Sequence, residues 1–251
     1  MPQDLEQARG IYRAIRDLWL AGGGGLEAHD RLALLTVAAG MRPFAFLSYM
    51  SHEEQPAILD KLLSLGLTAS PCSVVFDIEI SPEGISRATV EAYTRAERQR
   101  SPLKGIGVWK EPGKSCGRFG MGSFGQELQY PRCCEAMEVG TKRRDHELFL
   151  TAIVEAEGDD AAIVEQARLE RREYEKASYD HCREWNERFY ETLSQYPFVL
   201  HAACGTCLRS KESPTAILNR RYEELALAIS DELHLMVRWG AQALLRSRDR
   251  D

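Results

Sequence analysis

His201, Cys204 and Cys207 fall within seven residues of "LHAACGTCLRS", and Cys133 and Cys134 stand side by side in "YPRCCEAME". A C-x2-C pair aims two sulfurs at one point because two intervening residues reverse the chain, and Gly205 eases that turn. Thiolates and imidazoles gathered this way are ligands for zinc or, where sulfur alone serves, for an iron–sulfur cluster. Zinc takes four such ligands, and C-x2-C supplies two. The remainder is sought in the doublet, or in Cys116 of "GKSCGRFG". The expected metal set is therefore Cys116, Cys133, Cys134, His201, Cys204 and Cys207, with zinc the first expectation and an iron–sulfur cluster the alternative. His201 separates the two: a ligand favours zinc, whereas sulfur ligands without it favour a cluster. Such a site would tie the connection between two C-terminal helices to loops some seventy residues upstream and contribute directly to folding stability.

Cysteines have three other uses. Free cysteines often serve as small buried apolar residues, and the isolated Cys72 and Cys182 fit that description. An odd total of seven, with no export signal, argues against a disulfide framework. A redox pair wants a thiolate at a helix N-terminus, yet the helix after Cys207 starts only at Ser213 and no thioredoxin-like strand precedes it.

Chemistry at the metal would need a base and a substrate grip. Glu135, next to the doublet, is the candidate base if the metal keeps an open position; its plainer reading is a surface or capping carboxylate. The Gly-rich loop 105–125 carries Lys114 and Arg118, which would hold an anionic small molecule. "GVWKEPGKS" is not a phosphate loop, since five residues rather than four separate Gly107 from Gly113. "SHEE" with "CGTC" has the order of a zinc deaminase motif, but the halves are far apart and no proline precedes Cys204. His181 reads as a core histidine, and Asp231 with His234 lacks the second carboxylate–histidine pair of a di-iron bundle. A purely structural metal would leave the charged helices to face a protein partner.

These residues must be held by an α+β fold. Ala8, Ile11, Tyr12, Ile15, Leu18 and Trp19 make a helical stripe that ends at "GGGG", and helices over about 26–39 and 51–65 follow, with Gly66 as a stop. "SVVFDIEI" alternates as a strand, "ISRATVEAY" is expected to return as its partner, and "IGVW" adds a third, giving a small central antiparallel sheet with Gly-rich loops. His146–Glu157 reads as a helix. A longer one is expected from Asp160 to about Gln195, with Tyr174, Ser178, His181, Trp185 and Phe189 on one face. Ser213 and Pro214 start the last helix, which carries Leu218, Tyr222, Leu225, Ile229, Leu233 and Met236 and runs to about Leu245. Together these two make a long C-terminal helical hairpin. The organisation is read as an N-terminal helical segment, 1–66, and a sheet-plus-hairpin unit, 67–251, or as a single domain.

The 251 residues are 44% hydrophobic and 28% charged, with a net charge of −6. That balance fits a globular protein and argues against a nucleic-acid or anionic-membrane binder. The opening segment is charged throughout and lacks the apolar run of a signal peptide, and no stretch is long enough to span a membrane. Cytoplasmic residence is the expectation.

Overall fold

The computed structural model describes residues 4–16, 25–47, 55–100, 103–114, 118–120, 122–170 and 183–248. Helix α1 (Leu5–Ile15) buries Ala8, Ile11, Tyr12 and Ile15 of the expected stripe; Leu18 and Trp19 lie outside the described residues. It packs on α2 (Gly25–Ala38), whose Leu32, Leu34, Leu35 and Val37 are buried on several sides. Such all-round burial marks a central helix. Strand β1 (Phe44–Leu47) follows; its four consecutive apolar residues are buried and show no alternation that would flag a strand. Helix α3 (Gln55–Ser64) ends where Gly66 takes φ +76°, a conformation that suits glycine.

Strand β2 (Thr68–Asp77) starts earlier than the alternation suggested and includes Pro71, which pairs with β3 (Leu103–Trp109). Its other side at that position has no ladder to satisfy, because β4 (Arg118–Gly120) pairs only with Val75 to Asp77. The sheet order is β1-β3-β2-β4, antiparallel except for the short parallel β4. Gly105 permits the close approach of β1 and β3: a Cβ there would lie 2.1 Å from the Leu47 carbonyl oxygen.

The expected return strand "ISRATVEAY" is instead part of helix α4 (Arg87–Arg100). Thr89, Ala92, Tyr93 and Ala96 are its buried residues, a helical i, i+3, i+4, i+7 set that the alternation of Ala88, Val90 and Ala92 obscured. Ser86 Oγ accepts from the Thr89 amide at 3.2 Å, capping the helix. After α5 (Ser123–Glu127) comes α6 (Arg132–Glu157), 26 residues long and starting fourteen positions before the expected His146. Its far end packs Phe149, Leu150 and Ile153 against Tyr93 of α4 and against Val164 and Ala167 of α7 (Ala161–Leu169). Asp160 caps α7 by accepting from the Ala162 and Ile163 amides.

Helix α8 (Arg183–Gln195) is the described end of the expected long helix; Tyr174, Ser178 and His181 lie outside the described residues. A single-turn helix α9 (Gly205–Leu208) interrupts the connection to α10 (Pro214–Ile229). Ser213 Oγ accepts from the Ala216 amide at 3.2 Å and Pro214 opens the helix, as the sequence predicts. The last helix does not run on to Leu245: Ser230 is extended, with φ −166° and ψ 134°, and α11 (Asp231–Arg248) starts afresh. That break lets Leu225 and Ala226 of α10 and Leu233 and Val237 of α11 all enter one core with α1, α2, β1 and α3. The fold is α+β, and no helix among the described residues is long and apolar enough to cross a membrane.

Candidate metal centre

The doublet lies in a helix, not in the loop expected for it. Pro131 fixes the entry to α6 with φ −56° and ψ 129°, and its carbonyl accepts from the Cys134 and Glu135 amides at 2.9 and 3.0 Å. Cys133 and Cys134 therefore occupy the first turn, at the positive end of the helix dipole, where a thiolate is favoured. The other half comes from the α8–α10 connection. Cys204 is the N-cap of α9 and Cys207 lies in its single turn, so the two side chains share one side of a tight reversal. That segment is fastened by Thr192 Oγ1, which accepts from the Ala203 amide at 2.8 Å. Tyr196 donates from its hydroxyl to the Cys207 carbonyl at 3.2 Å.

The two halves meet. The sulfurs of Cys133, Cys134, Cys204 and Cys207 all lie within 4.8 Å of one another, and three of the four residues are buried. Cys133 Sγ is 4.0 Å from Cys134 Sγ and 3.6 Å from Cys207 Sγ. The Cys204 amide donates to Cys134 Sγ at 3.4 Å. Thr215, fully buried in the first turn of α10, places its hydroxyl 3.4 Å from Cys134 Sγ. Gly205 has the guanidiniums of Arg209 and Arg188 over it: a Cβ there would lie 3.1 Å from Arg209 Nη1 and 3.6 Å from Arg188 Nη1. The Cys204 amide and the Thr215 hydroxyl are the donors that sulfur meets here.

Without a cation the sulfurs cannot all ionise. Burial pushes the Cys133 thiol up to about 11, and the neighbouring Cys207 and Cys204 add to the rise. Burial also drives Cys134 upward, only partly offset by Thr215 and the Cys204 amide. Cys207 is the exception, at about 7: burial raises it, but hydrogen bonds from Thr215, Cys134 and Cys133 more than compensate. A bound cation would remove this conflict by displacing the protons.

His201 stands one hydrogen bond outside the sulfur cluster. Its Nε2 is 3.1 Å from Thr215 Oγ1, so Thr215 bridges it to Cys134. The ring lies against Tyr130 at 4.9 Å, and burial, followed by the charge of Arg42, lowers its pKa to about 4. Cys116 lies outside the described residues. Cys72, read above as a free apolar cysteine, is buried in β2 and disulfide-bonded. An odd cysteine count excludes complete pairing but not a single bridge, which is why the sequence argument missed it.

The residues expected to do chemistry are distributed elsewhere. Glu135 is buried and its carboxylate lies beside Gly122 and Gly125, and the two cavities it borders contain none of the four cysteines. Lys114 is exposed and borders a separate cavity with Trp109 and Phe119. Arg118 is placed in β4 by its backbone, and its side chain is outside the described part. His234 is 3.1 Å from Glu223 and stacks on Phe198, and His146 Nδ1 is 2.8 Å from the Tyr93 hydroxyl. Sequence reasoning overlooked Thr215. Its only signal is a hydroxyl residue just after the Ser-Pro helix start, where its side chain can turn back toward the C-x2-C segment.

Comparisons with models of protein families, with curated proteins and with solved structures find no match to this chain.

Proposed function

We propose that this chain binds one zinc ion through the thiolates of Cys133, Cys134, Cys204 and Cys207, and that the ion is structural. The observation that carries the reading is the spacing of the four sulfurs, all within 4.8 Å. Zn–S bonds of about 2.3 Å in a tetrahedron put sulfurs ~3.8 Å apart. The sulfur pairs at 3.6 and 4.0 Å bracket that edge length. An iron–sulfur cluster interposes a core of several atoms between its thiolates and needs them further apart, so the spacing favours a single ion.

Four protein ligands close the sphere and leave no open position for a substrate, which supports a structural role over catalysis. The ion would clamp the start of α6 to the α8–α10 connection, two segments joined there mainly by small residues. Beside the cysteines that contact has Ala203, Met137 and Leu208. The alternative of an enzyme acting at the Gly-rich loop draws no support from the position of Lys114, which borders a cavity without any of these sulfurs.

The test is elemental analysis and visible absorption of anaerobically purified protein. One zinc per chain without colour is expected. Brown protein with iron and sulfide, or metal-free protein whose stability a chelator leaves unchanged, overturns the proposal.

A further inference from the structure

Beside the thiol cluster, on the opposite side of His201, lies a cavity of about 180 Å³. Three buried side chains bordering it have polar atoms that meet no acceptor among the described residues: Arg42 Nε, His201 Nδ1 and Tyr222 Oη, the last with the Arg42 guanidinium as its polar neighbour. Their residues are 7%, 2% and 5% exposed. They come from separate parts of the chain, the α2–β1 turn, the segment before α9, and the middle of α10. The Arg42 guanidinium lies over the Tyr222 ring, 6.0 Å from its centroid, and its charge also reaches His201.

The decisive group is Arg42. A guanidinium stays charged at any pH a protein meets, and burying an unpaired cation costs several kcal/mol. Among the described residues Arg42 forms no ion pair with a carboxylate. Asp30 also borders the cavity and is engaged in an interaction of its own. Fixed, desolvated donors with no carboxylate partner among the described residues are the recognition half of an anion site. The rest of the wall includes Leu32, Phe198 and Leu218, which want an apolar body rather than a second charge.

We propose that this cavity binds a small carboxylate with an apolar body, its carboxylate on Arg42 and Tyr222 and its body against Leu32, Phe198 and Leu218. The volume limits the ligand. A cavity of about 150 Å³ accepts a benzene ring, so this one takes roughly one ring or a short branched chain with its acid group. Tyr222 donates its hydroxyl hydrogen to the carboxylate. This site is independent of the zinc reading, since none of the four cysteines borders the cavity.

The test uses the full chain with benzoate as probe, and benzyl alcohol and inorganic phosphate as controls, followed by calorimetry and ligand-observed NMR. Saturable one-site binding of benzoate is expected, with a Kd on the order of a millimolar or tighter. Arg42→Met should weaken it at least tenfold, with a thermal midpoint no lower than that of the parent. Benzyl alcohol should bind at least tenfold more weakly, and phosphate should not compete. Tyr222→Phe is the second variant, read if Arg42→Met fails to fold, and should weaken benzoate several-fold. The absence of saturable benzoate binding means the cavity holds only water and overturns the proposal. Equal binding of benzyl alcohol, displacement by phosphate, or unchanged affinity in the folded variants overturns it equally.

Discussion

Cys133 and Cys207 are 74 positions apart in the chain, and their sulfurs lie 3.6 Å from each other. The contact joins the first turn of the 26-residue α6 to a single-turn helix that has almost no core of its own. Such a helix is marginal in isolation, so its position depends on what the sulfurs hold. On the proposed zinc site, Cys207→Ser should therefore lose the metal and destabilise the protein by roughly 3 kcal/mol or more, because a metal's binding energy is folding energy. Cys72→Ala breaks the disulfide but leaves the four sulfurs in place, so it is the control for zinc content alone and should retain one zinc per chain. Zinc content and urea midpoints decide: a Cys207→Ser protein with full zinc would sink the assignment.

The β1–β3 pairing makes a second prediction independent of the metal. A Cβ on Gly105 would lie 2.1 Å from the Leu47 carbonyl oxygen and 2.9 Å from the Phe46 ring. Backbone cannot yield there without parting Leu47 from its partner Ile106. Gly105→Ala should cost about 3 kcal/mol or more, as overpacking against backbone does. A urea midpoint within error of the parent would show that the strands separate more easily than this contact implies.

Much of this arrangement was legible in the residues. The stripe of α1, the Ser213–Pro214 start of α10 and the alternation in β2 each follow from a local rule, and each formed. The C-x2-C and the doublet were recognised by ligand type, and their meeting across seventy residues was a conjecture that the sulfur distances support. What the sequence hid is tertiary. "ISRATVEAY" fits both a strand and a helix, and only the burial of Tyr93 and Ala96 against α6 and α7 decides for the helix. The start of α6 at Arg132 was masked by the preceding Gly-rich run. Arg42 and Tyr222 are 180 positions apart, and no spacing rule joins them to His201.

Acid should destabilise the fold through two histidines. His146 and His201 both have pKa values lowered to about 4, by burial first and then by Lys142 and Arg42 respectively. In the unfolded chain both titrate near 6.5. Between those values the unfolded state binds protons that the folded state refuses. Stability is therefore complete above about pH 6.5 and is lost as pH falls toward 4, at roughly 1.4 kcal/mol per pH unit for each histidine. Urea midpoints of chelator-treated protein between pH 7 and 5 measure the slope without interference from zinc release. His146→Gln should make that slope shallower; an unchanged slope would refute this role for His146.

Thr215 gives the last prediction. Its hydroxyl lies 3.4 Å from Cys134 Sγ and 3.1 Å from His201 Nε2, and the residue is fully buried. Thr215→Val keeps the shape of the side chain and removes the group that serves both neighbours. His201 Nε2 is then left unpaired in a buried site, at a cost of about 1–3 kcal/mol. The same change removes a hydrogen bond to a proposed ligand sulfur, a loss that typically weakens metal binding 10- to 100-fold. The expected protein therefore still purifies with one zinc per chain but yields it to a chelator at lower concentration. Competition with a chromophoric chelator gives the affinity, and urea denaturation of the metal-free form gives the stability loss separately. If the affinity is unchanged while the metal-free stability falls, Thr215 supports His201 alone and the bridge to Cys134 carries no weight in metal binding.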